Sequence, residues 1–320
     1  MEKKKVIVYG LGNALKAQKY FIKTQFSIVG YSDTSYHSEE GYIKPEEIAG
    51  KEFDYIYVTS TRYFSEIRTK LVEECKISED KIISLADVLG DFDNAEVRRK
   101  WIIQRLKEIP AGKLLLDAGA GEMQYKPYCD HLKYIAQDFG QYDPAKDWGG
   151  VSTPNKWDTS GVNIVCDIVD MPLESESVDV ILCSEVFEHL QDPVLAIKEF
   201  SRIIKKDGKL ILTAPFCSLT HMAPYFYCNG FSEYWYQSHL MEYEFDIEEI
   251  IPNGNYFKYL NQELFRVNEM AKRYCNVDLN EEEIKSLMDS IEILSKLSLR
   301  DKFSNEVLCF GYMVIAKKRV

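Results

Sequence analysis

The chain has 320 residues, 46% of them apolar and 28% charged, the composition of a folded globular protein with apolar material for about two domains. Its 51 acidic side chains outnumber the 39 basic ones, giving a net charge of −12, so no nucleic-acid partner is expected. No apolar run approaches the ~18 residues of a membrane span, and the stretch after Met1-Glu2-Lys3-Lys4-Lys5 is too short for a signal peptide. None of the eight cysteines forms a CxxC pair or a zinc-finger cluster with histidine. They read as reduced thiols of a cytoplasmic protein, with no membrane association.

In chain order, residues 5–9 read as a buried strand followed by the turn Gly10-Leu11-Gly12-Asn13 and a helix of about ten residues. Strands are predicted at 26–31, 53–59 and 81–85, with a helix at 65–74. Strands alternating with helices imply a parallel sheet. A first unit is therefore expected over residues 1–91. Residues 92–108 have the spacing of an amphipathic helix, with Val97, Trp101, Ile102 and Leu106 on one face, and residues 92–111 are expected to form a linker.

A second alternating series fills residues 112–320. Strands are predicted at 114–116, 134–137, 163–166, 178–183, 209–213, 245–251 and 306–316. A short helix is expected after the first of these, and further helices at 193–204, 260–275 and 279–297. Residues 139–161 read as a long loop, and residues 216–236 are rich in aromatics.

The chemistry gathers at the carboxyl ends of the second series. In an open parallel sheet that edge is where ligands bind. The first strand runs into Asp117-Ala118-Gly119-Ala120-Gly121, where glycines let backbone approach a ligand. Asp138, 19 residues past Gly119, is placed to accept hydrogen bonds from a ribose diol, and Asp167 to accept one from an adenine amino group. A lone GxG signals little; three strand-end acids at this spacing signal much more.

These residues resemble the class I S-adenosylmethionine-dependent methyltransferases. The resemblance is carried by Leu114–Gly121, Tyr134–Asp138, Cys166-Asp167-Ile168, Asp179–His189, Glu199–Ile204, Asp207–Leu210 and Thr213–Phe216. It implies a seven-stranded Rossmann-like α/β sheet with its last strand antiparallel, and S-adenosyl-L-methionine as cofactor. It implies that Asp117, Ala118, Gly119 and Gly121 lie around the methionine part. Asp138 would bind the ribose hydroxyls, Asp167 and Ile168 would hold the adenine, Cys183, Ser184 and Glu185 would face the cofactor, and Gln137 would belong to the same site. The third glycine often found in the family's turn is replaced here by Glu122-Met123.

Methyl transfer chiefly needs the two reactants held in line, which contributes roughly 7–11 kcal/mol. No metal is expected. His221, just past the fifth strand, is the candidate general base; otherwise it hydrogen-bonds the loop backbone. His189 reads as a structural residue. Tyr225, Tyr227 and Trp235, with Trp148 and Trp157 from the long loop, are expected to wall the acceptor site or to pack helices.

In the first unit, Gly10, Gly12 and Asp33 make a partial dinucleotide fingerprint, with Leu15 at the third glycine position. The unit resembles the small, doubly wound Rossmann-like domains appended to sugar- and polysaccharide-pathway enzymes. It would hold a nucleotide, or serve for docking or as a homodimer contact. The expected activity is O-methylation of a small polar acceptor such as a nucleotide-sugar or glycan precursor. The alternatives are a catalytically silent cofactor- or nucleotide-binding scaffold and a nicotinamide-dependent oxidoreductase.

Overall fold

The computed structural model describes residues 3–35, 38–60, 63–89, 94–143, 150–151 and 158–320. It divides into two units, Met1–Glu96 with Phe257–Lys302, and Val97–Tyr256 with Phe303–Val320. The expected boundaries, at 91 and 112, place residues 257–302 with the second series instead.

The first unit opens on β1 (Lys5–Tyr9), whose last four residues are buried. A continuous apolar run suits a parallel strand covered on both faces. There follow α1 (Asn13–Gln25), β2 (Ser27–Ser32), β3 (Tyr55–Val58), α2 (Phe64–Glu73), β4 (Ile82–Ser84) and the short α3 (Leu85–Leu89). The strands lie in the order β2-β1-β3-β4, and all neighbours are parallel. Leu15, Phe21 and Ile22 of α1 pack on Val6, Val8 and Tyr57 on one face. Leu71 of α2 packs with Ile7, Tyr9 and Ile56 on the other. The small domain is thus doubly wound.

Helix α4 (Asn94–Lys107) occupies the expected linker, and most of it belongs to the second unit. Its Trp101, Ile102 and Leu106 pack with Leu115, Leu182, Ile211 and Ile315 of that unit's sheet. The helix is also pinned by Glu249, which accepts from Trp101 Nε1 at 3.0 Å and from Arg105 at 2.9 Å.

The second unit continues through β5 (Leu114–Ala118), β6 (Lys133–Asp138), β7 (Ile164–Val165) and β8 (Val178–Ser184). Next come α5 (Pro193–Ile203), β9 (Ile204–Pro215), α6 (Glu233–Glu242) and β10 (Phe245–Asn253). Asp192 caps α5 by accepting from the Val194 and Leu195 amides, with Pro193 at the first helical position. Helices α7 (Tyr256–Met270) and α8 (Glu281–Ser298) then leave the second unit. Phe265 and Met288 pack against the α1 face of the first. The chain returns for β11 (Gly311–Lys318), which lies antiparallel between β9 and β10. The order β10-β11-β9-β8-β5-β6-β7 is the seven-stranded sheet with a reversed last strand that the resemblance implies.

Two local expectations fail. No α-helix follows the glycine turn after β5; the described residues there hold a 3-10 turn at Lys126–Tyr128. Gly119, Gly121 and Met123 all take positive φ, of +73°, +51° and +54°, which a right-handed helix does not accommodate. The last strand begins at Gly311 rather than 306, because Ser304–Glu306 forms its own 3-10 turn. All eight cysteines are free, and Cys75, Cys129, Cys183 and Cys309 are buried. Among the described residues no helix is long and apolar enough to cross a membrane.

Candidate functional site

The site lies at the carboxyl edge of β5, β6, β8 and β9. The turn after β5 is held by the end of β6. Gly119 donates its N–H to the Gln137 carbonyl at 2.9 Å and to the Gln137 side-chain oxygen at 3.1 Å. A Cβ at Gly119 would come within 2.4 Å of Val186 Cγ2, so the loop after β8 closes directly over this glycine. Gly121 donates to Asp138 Oδ2 at 3.0 Å, and Gly140 donates to Asp138 Oδ1 at 2.8 Å. Asp138 therefore organises two turns at once. A carboxylate has about four acceptor positions, so two remain for a ligand.

Asp117 lies beneath the turn, 3% exposed, and accepts from the Tyr134 hydroxyl. Burial pushes its carboxyl up to about 7; the Tyr134 hydrogen bond opposes the shift and the Asp138 charge adds to it. Gln137 is equally enclosed, and its Nε2 donates to the Cys166 carbonyl at 2.8 Å. Asp167 is exposed at the end of β7, where it accepts from the Val169 amide at 3.2 Å.

The residues expected to face a cofactor separate into three groups. Asp138 and Asp167 sit on the rim with the glycine turn. Ala118, Ile168 and Cys183 have their side chains in the main core with Phe187 and Phe200, so direct side-chain contact with a ligand at this edge does not follow from their burial. Burial also raises the Cys183 thiol well above its ordinary range. Ser184 and Glu185 form a polar chain instead. The Thr213 hydroxyl donates to Glu185 Oε1 at 3.0 Å and, having spent its proton, accepts from Ser184 at 3.0 Å. Glu185 Oε2 lies 3.2 Å from Arg98 of α4. These contacts hold Glu185 at φ +55°, a conformation that disfavours side chains.

On the acceptor side, His221 lies in the loop after β9. Its Nδ1 is 2.9 Å from the Leu219 carbonyl, and the Ser218 hydroxyl is 3.4 Å away. Its ring meets His189 edge-on at 4.8 Å between centroids and Phe226 at 5.1 Å. Tyr225 packs edge-on against Phe139 at 5.2 Å. Tyr227 is exposed and donates its amide to the Glu188 carbonyl at 2.8 Å. Trp235 takes the packing alternative: it lies against Phe187 and Phe231 at the core, at 5.9 and 4.9 Å. Its position on α6, capped by Ser232, aims it inward. Trp148 and Trp157 lie outside the described residues.

Sequence reasoning finds no metal set, yet the fold brings Glu188, His189 and His221 together, with their ligand atoms within 4.8 Å of one another. Glu188 is 1% exposed, and burial and the Glu185 charge raise its carboxyl well above the usual range. Burial lowers His189 to about 4. The signal was present as two motifs, Glu188-His189 and His221, that only the β8–β9 pairing unites.

In the first unit, the end of β1 and the end of β2 repeat the same device. Asp33 Oδ2 accepts from the Leu11 amide at 2.6 Å, and Oδ1 accepts from Ser35 at 3.1 Å. Gly10, at φ +99°, is fixed because a Cβ would strike Thr59 Oγ1. A cavity of about 500 Å³ opens here, lined by Gly10, Gly12, Asp33, Thr59, Tyr63 and Lys70. Leu15, at the third glycine position, is buried in the core.

A parallel sheet closed by one antiparallel strand, with a glycine turn clamped by the acid of the next strand, defines a Rossmann-like ligand-binding unit of methyltransferase topology. Residues 116–212, which lie within the second unit, match the methyltransferase domain family. Residues 2–83 match a family described as C2185-like, N-terminal. Among solved structures, the chain is similar to an S-adenosylmethionine-dependent methyltransferase from Archaeoglobus fulgidus at 18% identity. That match covers 73% of this chain and 97% of the other, with a TM-score of 0.42. The YcgJ protein of Bacillus subtilis is similar at 14% identity, covering 70% and 99%, with a TM-score of 0.41. A geranyl diphosphate methyltransferase in complex with GPP and sinefungin is similar at 13% identity, covering 69% and 77%, also at 0.41. No curated protein matches the chain.

Proposed function

We propose that the second unit transfers a methyl group from S-adenosyl-L-methionine to an oxygen of a small polar acceptor, of the sugar or glycan-precursor class. The clamp of Asp138 on the glycine turn carries this reading, in a segment that matches a methyltransferase domain. The residues suit such a cofactor. Gly119 and Gly121 leave the turn without side chains, Asp138 keeps acceptor positions for a diol, and the acids of the rim favour a cation. The cofactor, when bound, supplies an electrophilic methyl group on a sulfonium. Asp138 would bind the ribose hydroxyls and Asp167 the adenine, while the Thr213–Glu185–Arg98 chain keeps the β8 edge in place. Tyr225 and Tyr227 would present apolar faces with polar tips to a sugar ring.

The test is titration of the full chain with S-adenosylmethionine, followed by transfer of a labelled methyl group to a panel of nucleotide-sugars and free sugars. Donor binding and label in a sugar fraction support the proposal. No donor binding at millimolar concentration refutes it. Stoichiometric donor binding with no transfer across the panel supports the scaffold reading.

The cavity of the first unit supports a second binding reading, for a nucleotide or the nucleotide part of a substrate. Its glycine turn and Asp33 supply the backbone and carboxylate contacts that a ribose requires, and Lys70 lines the same cavity.

A further inference from the structure

We propose that Glu188, His189 and His221 form a binding site for a divalent first-row transition cation at the carboxyl edge of β8 and β9. Two imidazoles and one carboxylate are a ligand set for such ions.

The hydrogen bonds fix which ring nitrogens are available. His189 Nδ1 lies 2.6 Å from the Tyr225 carbonyl, and His221 Nδ1 lies 2.9 Å from the Leu219 carbonyl. A carbonyl can only accept, so each Nδ1 carries the proton. In a neutral imidazole the Nε2 is then a bare lone pair. Metal-ligating histidines are oriented by this same outer contact.

Both Nε2 atoms face one carboxylate. They stand 3.7 and 3.8 Å from Glu188 Oε1, beyond hydrogen-bond reach. Three ligand atoms converge, and neither ring nitrogen turns a proton towards the carboxyl group. Glu188 Oε2 is buried and has no hydrogen-bond partner among the described residues. Arg98, whose charge reaches Glu188, is held in an ion pair with Glu185. A cation at the centre of the three groups resolves all of this. Ligand bonds of about 2.1 Å set tetrahedral ligands about 3.4 Å apart, so each Nε2 need approach Glu188 Oε1 by only a few tenths of an ångström, and the widest pair of the three, within 4.8 Å, by about 1.4 Å at most.

The supporting loops are well braced. Glu188 and His189 sit in the turn Phe187–His189, and the Tyr227 amide donates to the Glu188 carbonyl. Val186, two residues before Glu188, packs on Gly119 of the glycine turn. Three protein ligands leave at least one coordination position open. On the methyl-transfer reading, and resting on it, that position takes the acceptor oxygen and lowers its pKa. His221 is then a ligand and not a free base.

The experiment uses the full chain, freed of metal by a chelator and titrated calorimetrically with manganese(II) and, separately, zinc(II) chloride. One equivalent of cation should bind to the wild type. His221→Ala, on a surface loop, and Glu188→Gln should each weaken binding by more than about 100-fold, beyond what loss of an outer partner costs. The visible spectrum of a cobalt(II)-loaded sample should be lost in His221→Ala, while the metal-free variant unfolds thermally like the metal-free wild type. Absence of binding at millimolar cation, or equal binding by wild type and His221→Ala, overturns the site. A parallel titration with S-adenosylmethionine separates the two proposals. Cation bound without donor leaves this site standing and removes methyl transfer; donor bound without cation does the reverse.

Discussion

Asp138→Asn separates the two jobs that one carboxylate performs. Its two oxygens each receive a backbone N–H, Gly121 at 3.0 Å and Gly140 at 2.8 Å. An asparagine of the same shape has one oxygen and one NH2. Whichever way the amide is turned, one of those N–H groups faces a donor. An unsatisfied buried group costs about 1–3 kcal/mol, and a hydrogen bond to a charged group contributes about 1.5–3. Asp138 is 8% exposed, so water offers little relief. The variant should therefore lose about 1–3 kcal/mol of stability in urea unfolding. Cofactor binding should fall by a further 5- to 150-fold in calorimetry with S-adenosylhomocysteine, because a ribose diol loses an ionised acceptor. Unchanged affinity in a destabilised variant would show that Asp138 only builds the turn. Unchanged stability would show that the clamp itself carries no weight.

Gly119→Ala should destabilise the fold by about 1–2 kcal/mol for its positive φ and about 1–3 more for the collision with Val186. In a Val186→Ala background that second part should vanish; equal costs in both backgrounds would refute the packing argument. Asp117 is held near 7 in the fold against 3.8 when exposed. Its neutral form is thus favoured by folding, a contribution complete below about pH 4 and lost as pH rises towards 7. Between pH 5 and pH 8 the wild type should lose a few kcal/mol more than Asp117→Asn in urea unfolding; parallel losses would contradict the burial of a neutral acid. Asp33→Ala frees the Leu11 and Ser35 amides and should abolish nucleotide binding to the first unit, read by competition with a fluorescent nucleotide while the second unit's donor binding is unchanged.

The central strands were legible because a parallel strand buried on both faces is a continuous apolar run. β1, β5, β8 and the start of β10 fall within a residue or two of their predicted places. The edges of the site were legible for a different reason: Gly119, Gly121 and Asp138 are tied by spacing to one turn geometry. What the sequence concealed depends on contacts between distant segments. Nothing local says that Trp235 turns to Phe187, that Cys183 and Ile168 face the core, or that α7 and α8 pack with Leu15 and Phe21. The helix expected after β5 failed because Met123 adopts positive φ, which no propensity announces. His221 and Glu188 are 33 positions apart, and only the parallel pairing of β8 with β9 sets them side by side.

The excursion of α7 and α8 has a consequence for how the molecule can be made. A ribosome releases β9 and β10 well before β11, the strand that must slot between them. Until residues 311–318 emerge, those two strands have bare inner edges, the kind of surface that templates aggregation. The stretch that separates them is meanwhile recruited to the first unit. Expression ended at residue 256 should accordingly yield insoluble protein, and no single cut can release either half whole.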